Sequence, residues 1–302
     1  MRRGPSEDRP QVFDAGSTVL NRRQLMALAA LALPRLASAR ERRAALPAAF
    51  EQLERTNGGR LGVTVVDTAT GEVAQHRGTE RFPMCSTFKF LLAAAVLQRV
   101  DRHQESAERP IAIPRLPLLS HSPLTLPHAG GTMSVLALCQ AIVTQSDNTA
   151  ANLLLGTLGG PSGVTTFARS LCDPVTRLDR TELTLNEALA GDARDTTSPA
   201  AMAANLHAVL LGTTLSAPLR DRLIAWMVAC ETGLDLLRAD LPAGWRAADK
   251  TGANGSHTSN DIAVFWPPNR PPVIVTAYIT QCPGPESKRA LMLAQVGRLI
   301  RQ

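Results

Sequence analysis

Lysine is rare in this chain of 302 residues, and the positions of its three lysines, Lys89, Lys250 and Lys288, matter. Ser86-Thr87-Phe88-Lys89 is an S-x-x-K at the start of an apolar helical pattern. Residues three apart share a helix face, so the lysine amine can reach the serine hydroxyl. A serine is a weak nucleophile until a base takes its proton, and a helix N-terminus suits a developing oxyanion. Lys250-Thr251-Gly252 ends a short strand pattern, where glycine permits close backbone approach and the next residue, Ala253, can offer its N–H to an oxyanion. Ser146-Asp147-Asn148 lies between two helical patterns. Each motif also has a plain reading. The first is a serine and a lysine on an amphipathic helix, the second a polar strand end, and the third a cluster of helix-capping residues.

The elements that must carry these residues follow from periodicity. Helices are expected at 41–55, 84–100, 133–144, 149–158, 163–170, 198–211, 217–231 and 286–300. Strands are expected at 61–67, 72–76, 246–250, 261–266 and 273–280. The segment 110–127, with five prolines, reads as loop, and the polar segment 177–197 is too long for an ordinary connection, which marks a functional loop. Helix and strands, a helical block, then strands and a helix predict an α+β fold. In it an antiparallel sheet of about five strands is flanked by N- and C-terminal helices, an all-helical domain is inserted, and the active site lies in the cleft between them. The corresponding division is 40–84 with 229–302 for the sheet domain and 85–228 for the helical domain, loop 177–197 included.

Composition narrows the class of protein. Hydrophobic residues make up 44% and charged residues 19%, which is globular. The net charge is +6, but residues 1–39 hold six Arg and three acids and so supply half of it. One Tyr, three Trp and seven Phe are a poor stock for stacking bases, so no nucleic-acid partner is expected. Asn-Arg-Arg-Gln-Leu-Met at 21–26, an apolar run at 25–33 and Ala37-Ser38-Ala39 read as an export signal, and Arg22-Arg23 resembles a twin-arginine type. An arginine-rich tail on an ordinary helix is the plain alternative. Cleavage after Ala39 would leave a periplasmic or secreted protein that meets the export machinery, without a stable membrane anchor and expected as a monomer. The five cysteines show no C-x-x-C and the six histidines no H-x-H or H-E-x-x-H, so neither a metal nor another cofactor is expected.

Taken together, S-x-x-K, S-D-N and K-T-G resemble the signature of class A serine β-lactamases and penicillin-binding proteins. The likeness to class A runs from about Leu46 to the C-terminus. It includes Leu178-Asp179-Arg180-Thr181-Glu182, Leu185-Asn186-Glu187, Arg194-Asp195-Thr196-Thr197 and Asn260-Asp261-Ile262-Ala263. The resemblance implies hydrolysis of penicillins and cephalosporins through a serine acyl-enzyme, and hence resistance to β-lactam antibiotics. It implies Ser86 as nucleophile, Lys89 or Glu182 as acylation base, and Ser146 as proton relay with Lys250 beside it. Asn148 and Thr251 would bind the substrate's amide and carboxylate, and the N–H groups of Ser86 and Ala253 would form the oxyanion hole. Glu182 and Asn186 match the deacylating pair, and Arg180 with Asp195 the ion pair that pins their loop. A D-Ala-D-Ala peptidase or transpeptidase and a penicillin-sensing domain are the alternatives, and Glu182 with Asn186 disfavours the first.

The departures carry expectations too. Leu183 stands where many relatives have proline, and if the backbone path is kept the peptide bond before it is cis. His121 replaces an aromatic residue at the cleft rim. Ser259 occupies the place of a carboxylate-binding arginine, and Arg289 is expected to substitute for it. Asn254 stands where some relatives have the cysteine that pairs with the equivalent of Cys85, so that disulfide is not expected.

Overall fold

The computed structural model describes residues 39–301 together with Met1 and Gly4. The expected export signal therefore lies outside the described residues, apart from those two and Ala39. Residues Arg40–Gln302 pack as one unit. In chain order the elements are α1 (Ala39–Asn57), β1 (Arg60–Asp67), β2 (Val73–His76), β3 (Phe82–Pro83), α2 (Phe88–Asp101), β4 (Pro110–Ala112) and β5 (Thr132–Ser134). Then come α3 (Val135–Thr144), α4 (Asn148–Thr157), α5 (Ser162–Ser170), β6 (Thr196–Thr197), α6 (Pro199–Leu206) and α7 (Ala217–Val228). β7 (Arg246–Ala253), β8 (Ser259–Trp266), β9 (Val273–Thr280) and α8 (Glu286–Ile300) complete the chain.

Five strands form one antiparallel sheet in the order β2-β1-β9-β8-β7. Its faces are set by alternation, because successive strand side chains point to opposite sides. Leu61, Val63 and Val65 of β1, Ala263 and Phe265 of β8, and Val275, Ala277 and Ile279 of β9 face α1 and α8. Phe50 of α1 and Leu293 and Val296 of α8 fill that layer, all fully buried. Ile262, Val264, Ile274 and Tyr278 point the other way, into a second core shared with the helical block. This is the α+β arrangement expected from the order of elements. Among the described residues no helix is long and apolar enough to cross a membrane.

At the centre of the second core lies α2. The sequence pattern suggested one apolar face, yet every residue from Phe88 to Leu97 is buried. A helix surrounded on all sides needs no polar face, and Lys89 is the charged group this burial traps. The helix also begins later than expected, because Cys85–Thr87 form a tighter 3-10 turn ahead of it. The proline-rich segment is not all loop: Pro110–Ala112 pairs with Thr132–Ser134 as a two-stranded ribbon, with Pro110 at its edge. Proline lacks an N–H but is tolerated at such an edge. The last turn of the helix expected at 198–211 is a wider π turn, His207–Leu211.

Candidate active site

The first turn before α2 presents Ser86. Lys89, one turn on, donates from Nζ to Ser86 Oγ at 3.0 Å. The same ammonium reaches Ser146 O at 2.8 Å, Ser146 Oγ at 3.3 Å and Asn148 Oδ1 at 2.6 Å. Glu182 Oε1 lies 2.9 Å from it, both side chains being wholly buried. Burial pushes Lys89 down to about 8, a shift the Glu182 carboxylate partly offsets. Ser86 Oγ in turn donates to Glu182 Oε1 at 3.4 Å, so lysine and glutamate both reach the nucleophile.

The S-D-N triplet divides into two jobs. Asp147 is the N-cap of α4, accepting from Ala150 N at 2.9 Å, and its other oxygen accepts from Leu124 N and Thr125 N. The capping reading is thus right for Asp147. Its neighbours differ: Ser146, at φ +57°, and Asn148 both line the cleft. Ser146 Oγ also accepts from Lys250 Nζ at 3.1 Å, which puts that hydroxyl between two ammonium groups. Lys250 is lowered as well, chiefly by burial.

β7 approaches the nucleophile closely at Gly252. A Cβ there would lie 2.7 Å from Met84 O and 2.9 Å from Ser86 N, so only glycine fits. Ala253 follows and, with Thr251, lines the cleft. Thr251 Oγ1 is hydrogen-bonded to Thr232 Oγ1 at 2.6 Å, a contact the sequence reading missed. Behind β7, Arg238 Nε lies 3.0 Å from Asp249 Oδ1, and burial pushes Asp249 up to about 6. Asp261, on β8, is raised well above the usual carboxylate range by burial and by Asp249.

The loop 177–197 delivers Glu182 and Asn186. Asn186 Nδ2 donates to Glu182 Oε2 at 2.6 Å, while Asn186 Oδ1 is buried without a protein partner. Arg180 Nε lies 2.6 Å from Asp195 Oδ2, and Asp195 Oδ1 accepts from the backbone N–H groups of Asp179 and Arg180. The expected ion pair is therefore present. So is the cis peptide bond between Glu182 and Leu183. Asn152 clamps Glu182 from α4, accepting from its N–H at 2.9 Å and donating to its carbonyl at 2.8 Å. Its signal in the sequence was its spacing, one helical turn beyond Asn148.

Ser86, Ser146, Asn148, Asn186, Thr251 and Ala253 line one cleft of about 710 Å³. His121, at φ +56°, stands at its rim with Nε2 2.9 Å from Gln145 O. Arg289 requires a correction. It is fully buried and does not line the cleft; its Nε donates to Ser259 Oγ at 3.1 Å and its Nη1 to Cys282 O and Gly284 O. It is Ser259 that faces the cleft, with Arg289 behind it. Cys85 and the other four cysteines are unpaired.

A nucleophilic serine held by a buried lysine, opposite a loop carboxylate at the edge of an α+β sheet, defines an active-site serine hydrolase. Residues 45–302 match the model of the beta-lactamase enzyme family, and the chain belongs to that family. It is 49% identical over 279 residues to beta-lactamase L2 of Stenotrophomonas maltophilia, covering 89% of this chain and 92% of that protein. Beta-lactamase Toho-1 of Escherichia coli is 43% identical over 251 residues, 83% and 86% of the two chains. Among solved structures, an ancestral class A beta-lactamase superposes with a TM-score of 0.83 at 55% identity, covering 85% of this chain and 98% of the other. A beta-lactamase from Xanthomonas campestris gives 0.84 at 46% identity, covering 86% and 97%.

Proposed function

We propose that the protein hydrolyses the β-lactam amide of penicillins and cephalosporins through an acyl-enzyme on Ser86, and so confers resistance to them. The observation that carries this reading is the placement of Glu182. Its carboxylate reaches Ser86 Oγ, while Asn186, bonded to it, keeps a buried acceptor unused. An attacking water held between these groups would lie within reach of a general base.

In acylation Ser86 Oγ attacks the lactam carbonyl and gives its proton to Glu182. The developing oxyanion is met by the N–H groups of Ser86 and Ala253. The lactam C–N bond then breaks, and the nitrogen takes a proton from Ser146, whose hydroxyl Lys89 and Lys250 resupply. Glu182 then passes the proton it took from Ser86 to Lys89, 2.9 Å away, making good the one drawn through Ser146. In deacylation Glu182 takes a proton from the water, which attacks the ester carbonyl, and the acyl C–O bond breaks as that proton passes to Ser86 Oγ. Thr251 and Ser259 receive the substrate carboxylate, Ser259 with the Arg289 charge behind it. Asn148 meets the side-chain amide and His121 closes the rim.

The expected site of action is the periplasm or the medium, reached by the export machinery through residues 1–39, with the mature protein a monomer. Its domains are read as 40–84 with 229–302, and 85–228. Nitrocefin turnover tests the reading. Many turnovers per enzyme are expected, with an acyl adduct on Ser86 accumulating in Glu182→Ala by intact-mass spectrometry. A single stoichiometric burst from the unaltered protein would point to a peptidase or sensor instead.

A further inference from the structure

The turn joining β7 to β8 is unusually well fixed. Asn254 Oδ1 accepts from the backbone N–H groups of Ser256 at 3.1 Å, His257 at 3.0 Å and Thr258 at 3.0 Å. The His257 carbonyl accepts from Cys282 N at 3.1 Å, anchoring the turn to the segment after β9. From this base the half-buried His257 ring crosses to loop 177–197, with Nε2 3.1 Å from the Ala188 carbonyl. Its Nδ1 lies 2.8 Å from Ser256 Oγ. A carbonyl can only accept, so Nε2 carries the proton, and in the neutral ring Nδ1 accepts from the Ser256 hydroxyl. Both nitrogens have partners, and the ring is held at both edges.

Ala188 ends the single 3-10 turn Thr184–Glu187 that carries Asn186, and it adopts a left-handed conformation at φ +51°. A side chain makes that conformation unfavourable, so the Ala188 carbonyl stays aimed at the hairpin only while something holds it. Arg180 donates to Glu187 from within the loop itself. Among the described residues, His257 makes the one hydrogen bond from the hairpin to the loop.

We propose that His257 is a positioning residue for deacylation: it ties the loop limb bearing Asn186 to the strand bearing Lys250 and Ala253. This rests on the reading of Glu182 and Asn186 given above. The 2.6 Å bond from Asn186 Nδ2 to Glu182 Oε2 transmits any shift at Ala188 to the base two residues and one hydrogen bond away. Acylation also uses Glu182, but through Oε1, which Ser86 Oγ and Lys89 Nζ hold from the α2 side; deacylation needs Asn186 as well to place the water, so it depends on the tie more.

The test separates the two chemical steps. Stopped-flow kinetics with a penicillin gives acylation, and quenched intact-mass spectrometry gives the steady-state acylated fraction. His257→Ala is expected to deacylate about tenfold more slowly with acylation within about twofold, the loss of roughly one hydrogen bond. His257→Gln, whose amide can donate to Ala188, should recover most of the rate. Unchanged deacylation in His257→Ala, equal slowing of both steps, or a glutamine variant as slow as the alanine one overturns the proposal. Glu182→Ala run alongside distinguishes the two claims. If it turns over like the unaltered protein, the deacylation reading fails first; if it stalls while His257→Ala does not, only the tie is wrong.

Discussion

Lys89 and Glu182 both touch Ser86, and pH can tell which takes its proton. Five acceptors surround the lysine: Ser86 Oγ, Ser146 O and Oγ, Asn148 Oδ1 and Glu182 Oε1. They favour the ammonium, while burial lowers it to about 8. An ammonium cannot accept a proton, so Lys89 could serve as base only in its neutral form. With a pKa of about 8 that form is about 1% at pH 6 and half at pH 8, roughly a fifty-fold rise. Acylation through Lys89 would climb by that factor between these pH values. Acylation through Glu182 would not follow that rise, and this is the expected result for the unaltered enzyme. In Glu182→Gln the lysine becomes the remaining base. There the climb should appear, with its midpoint below 8 because the charge that raised Lys89 is gone. The assay is single-turnover acylation of Ser86 by a penicillin from pH 6 to 9. A fifty-fold climb in the unaltered enzyme would refute Glu182 as the acylation base.

Three further outcomes are expected. Asp195→Asn removes the charge facing Arg180, worth about 1.5–3 kcal/mol as a charged hydrogen bond. Glu187 and Asp192 near Arg180 keep the loss at the lower end, so for a unit of this size calorimetry should show Tm falling by about 3–6 °C and kinetics slower deacylation. Arg289→Ala should lower kcat/KM for penicillins by about tenfold, but not for a substrate whose carboxylate is esterified; equal losses on both would make the residue purely structural. Gly233→Ala would bring a Cβ within 1.8 Å of Asp249 Oδ2, so a fall in Tm is expected from the displaced Asp249–Arg238 pair. An unchanged melting curve would count against that packing.

Periodicity read the sheet and its flanking helices well, because their cores enforce a strict pattern. α8 begins and ends at Glu286 and Ile300 as expected. It failed where neighbours rather than neighbouring residues decide. The Pro110 ribbon exists because Thr132–Ser134 folds back onto it, and proline content alone hides that pairing. Motifs located Ser86, Lys89, Ser146 and Lys250, yet could not divide Ser146-Asp147-Asn148 into a cap and two cleft residues. Arg289 was legible as a nearby charge but not as one sealed behind Ser259, since burial depends on the fold around Cys282 and Gly284. Thr232 and His257 act through single side-chain bonds to distant segments and leave no periodic trace.

β1 pairs along its length with β9, Arg60 opposite Thr280 and Asp67 opposite Val273. The sheet thus cannot close until the chain has been made to its last strands, and loops this long fold slowly. A ribosome that stops before residue 246 releases a polypeptide with Ser86, Lys89 and Glu182 but only two of the five sheet strands. Lys250, Gly252 and Ala253 would be missing from such a product. Termination before β7 therefore yields no weak version of this catalyst, and the reaction itself reports that synthesis passed the strands that close the sheet.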